Sequence, residues 1–223
     1  MDFPTLNPMV IDALSESCRR GALAVMLDHG ETVRRTELAT MIAEGVGTTR
    51  AGTTGADPAA VETIRTALYH VHLPFLADAG AVVYDPDTGL VRPAAGSPFD
   101  GEWVRRLLAD HADVDYDGTL AALASERCQA VLYELLGDTG PMPERTLARR
   151  VAAHERGCDP TAVADAAVQV TYLSLTHTHL PKLEEVGFVS VDAEDGRLEL
   201  GRLPWRTDPW VAVSPIAEWA ALE

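Results

Sequence analysis

Two stretches of this chain repeat the same alternation of apolar and polar positions. In residues 121–137, Val131, Leu132, Leu135 and Leu136 recur at helical spacing and predict a first helix. A matching helix is predicted over 10–28. Short helices are expected at 35–44 and 144–154. A polar loop follows the first of these, "EGVGTTRAGTTGAD", whose glycines favour turns. A longer third helix then runs to Gly80 in one stretch and to Gly187 in the other, each placed to end a helix. After each glycine come two short apolar runs around a Gly-containing turn. "AVVY-DPDTG-LVRP" (81–93) and "FVSV-DAEDG-RLEL" (188–200) predict β-hairpins.

The two stretches are copies. Between 66–85 and 173–192, nine of twenty positions coincide, including "HxHLPxL" at 70–76 and 177–183. Upstream, "SESCRRGALAVMLDHG" (15–30) matches "SERCQAVLYELLGDTG" (125–140) without a gap. The expected organisation is copy one at 1–95, a linker with a short amphipathic helix at 96–120, copy two at 121–203, and a Trp-rich tail at 204–223. The fold class is mainly α with small β-hairpins (α+β). Helix, helix, helix, hairpin is the order of a winged helix-turn-helix domain, here expected twice in tandem. In the tail, Ser214 and Pro215 resemble an N-cap and first-turn pair opening a last helix.

The doubled His-x-His raises the question of a metal. Residues two apart on a helix point about 200° apart, so His70 and His72 are not placed to clasp one ion. No cysteine stands beside either pair in sequence, and no metal site is expected. Leu68, His72, Leu76 and Ala79 instead share one face, as do Leu175, His179, Leu183 and Val186. His72 and His179 are therefore expected to be partly buried in an apolar stripe. Pro74 and Pro181 stand four residues after His70 and His177. A proline inside a helix leaves the carbonyl four residues earlier without a donor, at about 3 kcal/mol if uncompensated. The helix is expected to bend or restart there in both copies.

Composition narrows the function classes. The net charge is −16, and 17 of the 18 basic residues are arginine, Lys182 being the exception. The charge is even along the chain, −5 over 1–95 and −5 over 121–203. This balance reads as adaptation to molar salt, where the Debye length is only about 3 Å and net charge acts weakly at a distance. Cys18, Cys128 and Cys158 are few and odd in number, as in a reduced, cytoplasmic protein. No apolar run is long enough for a membrane span, and no secretory signal is read at the start. No catalytic constellation or cofactor motif emerges. "GTTRAGTTG" lacks the Gly-Lys-Ser/Thr ending of a phosphate loop, and no Gly-x-Ser-x-Gly elbow occurs.

"LYHVHLPFLADAGAVVYD" and "LSLTHTHLPKLEEVGFVSVD" resemble the third helix and wing of bacterial and archaeal winged-helix regulators. More closely, they resemble a haloarchaeal winged-helix domain family of unknown function with a His-x-His-Leu-Pro-x-Leu signature. The resemblance covers about 10–93 and 121–201, and it implies a DNA-binding transcriptional regulator or a protein-docking module built on the same fold. For double-stranded DNA, the candidate contacts are Thr171, Ser174, His177, Thr178 and Lys182 on the third helix of copy two. Arg149, Arg150 and Arg197 nearby are candidates for phosphates. The matching surface of copy one is apolar. Val71, Phe75, Trp103, Trp210 and Trp219 are the candidate residues for a homodimer or another protein interface.

Overall fold

The computed structural model describes residues 4–47, 57–109, 116–138, 140–192 and 195–222. The loop 48–56, the end of the linker at 110–115 and the tip of the second hairpin at 193–194 lie outside them. The chain forms two compact units, one of residues 9–120 and one of 4–8 with 121–222. Among the described residues no helix is long and apolar enough to cross a membrane.

In the first unit, the helix expected at 10–28 is two helices, α1 (Pro8–Leu14) and α2 (Ser17–His29). The break falls at Ser15–Glu16 because Glu16 caps α2, accepting a bond from the Arg19 backbone N–H. Arg19 then reaches back, its side chain donating to the carbonyls of Ala13 and Asp12 at the end of α1. Arg20 is buried, donates to Leu14 O and pairs with Asp117 at 2.6 Å. Next come β1 (Val33–Arg34), α3 (Arg35–Gly47), α4 (Pro58–Ala67), a π-helical turn at Leu68–His72, α5 (Leu73–Asp78), β2 (Val82–Asp85) and β3 (Leu90–Pro93). The strands form an antiparallel sheet in the order β1-β3-β2, with Val91 opposite both Val33 and Tyr84 and fully buried.

Residues expected to link the copies are built into this unit. Ser97 Oγ donates to Gly80 O, Phe99 is buried, and α6 (Glu102–Ala109) buries Val104, Leu107 and Leu108 while packing against α2.

The second unit repeats the plan. Its first helix is again broken, into α7 (Asp117–Leu123), which begins in the preceding unit, and α8 (Glu126–Leu136). Here the cap is Ser125, which accepts from the Cys128 N–H. Then follow β4 (Met142–Pro143), α9 (Glu144–Arg156), α10 (Asp165–Ser174), a π-helical turn at Leu175–His179, α11 (Leu180–Glu185), β5 (Val189–Val191) and β6 (Arg197–Leu200). The sheet order is β4-β6-β5, with Leu198 opposite Met142 and Val191. In both copies a turn glycine anchors the second helix. Arg35 N–H donates to Gly89 O, and Glu144 N–H to Gly196 O. Gly80 and Gly187 both take φ of 73°, which lets each third helix turn directly into its hairpin.

Two additions complete the second unit. Residues 4–8 belong to it rather than to copy one. Gln129, fully buried, accepts from Leu6 N–H and donates to Leu6 O and Leu123 O. Gln129 aligns with Arg19, and both hold the matching carbonyl at the end of the preceding helix. The tail forms 3-10 turns at Pro204–Thr207, Val211–Val213 and Ala217–Ala221 in place of the expected helix. Ser214 Oγ does accept from Ile216 N–H, but Trp219 N–H bonds to Ile216 O, three residues back. The buried indoles of Trp205, Trp210 and Trp219 hold this tighter winding by packing on one another and on Phe188.

Candidate functional site

The repeated motif lies in the π turns. Leu73 N–H bonds to Leu68 O, and Leu180 N–H to Leu175 O, five residues apart. One extra residue in the turn widens the helix immediately before Pro74 and Pro181, where the proline ring would otherwise crowd the carbonyl four residues back. The widening also changes which side chains face inward. A π turn brings residues five apart to one side, so Leu73 joins Leu68, His72 and Leu76 in the buried stripe. Leu175, Leu180 and Leu183 do the same in copy two.

The second histidine of each motif points inward and the first outward. His72 is buried, with Nδ1 3.6 Å from Glu16 Oε2. His179 is half-buried, with Nδ1 3.3 Å from Ser125 Oγ and 3.5 Å from Cys128 Sγ. Both imidazoles are held below the ordinary histidine value, first by burial. The cations Arg127 and Lys182 push His179 further down while Glu155 opposes them.

A histidine whose folded pKa is depressed is neutral in the folded state and takes up a proton on unfolding. Its contribution is intact above the unfolded value, near 6.5, and is lost as pH falls from there toward the folded value. Denaturant titrations between pH 7.5 and 5 are therefore expected to show copy two losing stability below about pH 6.5. His179→Gln should flatten that slope, and an equally steep slope in the variant would refute the assignment.

The outward residues divide. Thr171 is 1% exposed and sits in step with buried Val168 and Leu175, so it faces the core rather than a groove. Ser174 Oγ accepts from Arg127. Arg149 donates to Val163 O and pairs with Asp165 at 2.6 Å. Arg150 reaches Glu134 and Asp138, and Arg197 donates to Pro141 O. These four positions are thus committed within the unit. His177, Thr178 and Lys182 are exposed, although Lys182 Nζ also donates to Ala121 O. Between them and the start of α10 stand Val170, 65% exposed, and Leu173, 45% exposed. Sequence reading passed over both. The signal was present in Val168, Thr171 and Leu175, whose steps of three and four define the inner face and leave Val170 and Leu173 on the other.

Copy one presents Thr63, Thr66 and His70 at the positions matching Val170, Leu173 and His177, all exposed. Val71 is 54% exposed and Tyr69 41%. Phe75 is half-buried beneath the Arg19 guanidinium, 4.6 Å from its centroid, so its contact is within its own unit. Trp103 is half-buried on α6. Trp210 and Trp219 are fully buried in the second unit and present no interface.

The model of one family, a domain of unknown function (DUF7344), matches the chain twice, over residues 11–92 and 120–199. These are the two repeats, each from the first helix to the hairpin. No curated protein and no solved structure matches the chain.

Proposed function

The chain belongs to that family, in two copies, and we propose that each copy is a winged helix-turn-helix domain and the whole a DNA-binding transcriptional regulator suited to high salt. The order helix, strand, helix, helix, hairpin with an interior hairpin strand supports this reading. One observation carries it. The outer face of the third helix in copy two exposes Val170, Leu173, His177 and Thr178, with Lys182 exposed one turn beyond.

Arginines held in ion pairs would make a poor phosphate footprint in dilute salt. At molar salt the reasoning changes. Affinity from counterion release falls as a power of salt concentration, so phosphate contacts contribute little. What survives is direct contact with base edges. Val170 and Leu173 suit thymine methyls, and His177 and Thr178 suit donors and acceptors in the major groove.

The expected result is selection of a duplex from a random pool in molar KCl, bound with a shallow salt dependence. His177→Ala and Leu173→Asp should each weaken it about 5- to 160-fold, corresponding to the 1–3 kcal/mol of a good base contact. Lys182→Glu should weaken it as well. Failure to select any duplex, or indifference to all three changes, would end this reading. A second reading, protein docking through copy one, is favoured by the exposed Tyr69, Val71, Val83 and Leu90. It expects Val71→Asp to change the sedimenting species while the selected duplex still binds.

A further inference from the structure

The fold brings Glu16, Cys18 and His72 together at the start of α2, with one donor atom from each lying within 4.8 Å of the others. We propose that these three side chains form a binding site for a divalent cation of the zinc class, present, among the described residues, in copy one only. The site is distinct from the nucleic-acid face and does not depend on it.

Four observations converge. The donor set is mixed sulfur, nitrogen and oxygen, which suits zinc, a borderline-soft ion. The Glu16–His72 separation is 3.6 Å, within the range of roughly 3.3–3.8 Å that separates ligand atoms around a tetrahedral zinc. His72 Nδ1 is buried with no hydrogen-bond partner, and it faces Glu16. A buried ring nitrogen left unpaired is costly, and a metal bond would satisfy it. Lastly, one carboxylate and one thiolate neutralise a divalent ion, so the site carries no net charge into its partly buried setting.

Cys18 would ligate as the thiolate. Uptake then forms the metal–sulfur bond and releases the thiol proton to solvent. The Arg19 guanidinium, whose charge bears on both Cys18 and His72, is held by the Asp12 and Ala13 carbonyls and stacked on Phe75. Three protein donors leave one tetrahedral position to water or another ligand. The bound ion would fasten the N-terminus of α2 to the π turn of the third helix.

Copy two is an internal control. Cys128 and His179 pair there in the same way, at 3.5 Å, but the cap has moved by one residue. Ser125 holds the capping position, and Glu126, the residue aligned with Glu16, is exposed on the first turn of α8. Glu155, the carboxylate whose charge bears on His179, is paired with Arg127, and among the described residues no third donor joins Cys128 and His179 in such a cluster.

Cobalt(II) is the probe, titrated into the full chain at molar salt in a Cys158→Ser background, since Cys158 is exposed. The expected result is a thiolate-to-cobalt charge-transfer band saturating at one equivalent per chain. Cys18→Ser and His72→Gln should abolish the band, and Glu16→Gln should weaken binding about tenfold or more. Cys128→Ser and His179→Gln should leave it unchanged. Bound zinc should also protect Cys18 from alkylation in the otherwise unaltered chain, a readout free of any folding defect in the variants. No band on the wild-type chain, a second equivalent lost with Cys128→Ser, or Cys18 alkylation unaffected by zinc would overturn the proposal.

Discussion

Trp219→Ala is expected to destabilise the second unit by about 3–5 kcal/mol, the range for truncating a buried tryptophan. The indole has no exposed surface. Its ring packs 6.3 Å from that of Trp205 and 6.0 Å from that of Tyr133, and Nε1 donates to Pro4 O at 3.1 Å. Alanine would leave a cavity beside Trp205 and Tyr133 and an acceptor without its donor. Domains of this size are stable by about 5–15 kcal/mol, so the loss is a large share of the total. Urea titration in molar KCl, followed by tryptophan fluorescence, measures it directly, because three of the four tryptophans lie in this unit. The midpoint should fall sharply. An unchanged midpoint accompanied by an altered sedimentation coefficient would instead return Trp219 to the interface role suggested by its sequence position.

Gln129→Leu should cost about 2–4 kcal/mol, despite conserving volume and adding apolar character to a buried site. The amide satisfies three backbone groups at once, Leu6 N–H, Leu6 O and Leu123 O, at 2.8, 3.0 and 2.8 Å. Leucine would leave all three in an apolar setting, at a typical penalty of 1–3 kcal/mol each unless water reaches them or the segment detaches. Detachment of residues 4–8 is the cheaper outcome and sets the upper end of the range. The change should appear as a lower urea midpoint together with faster amide exchange at Leu6. A midpoint within about 0.5 kcal/mol of wild type, the usual span for a neutral surface change, would show that the segment contributes little.

Periodicity and internal repetition alone defined the two copies, their helices and hairpins, and the inward stripe through Leu68, His72 and Leu76. Those features depend on residues a few positions apart, where side-chain direction follows from backbone geometry. The twin prolines likewise announced a disturbance in each third helix. What form it took was decided by the helix's need to bury Leu73 and Leu180 alongside the stripe, which a π turn allows and a simple kink does not.

The first helix of each copy was read as continuous because a capping Glu or Ser inside a helical pattern is hard to tell from an exposed polar residue. Only its bond to the N–H three residues on reveals it. The candidate nucleic-acid contacts were narrowed by partners that short-range patterns do not link. Arg149 meets Asp165, Arg150 meets Glu134, and Arg127 meets Ser174, in each case across two helices. The assignment of residues 4–8 rests on contacts 123 and 215 positions apart. Cysteine was judged distant from the histidines in sequence, yet Cys18 and Cys128 stand beside His72 and His179 because α2 and α8 pack their first turns against the π turns. Pairings of this kind arise when separate elements close on a shared core, so tertiary packing rather than local pattern selects them.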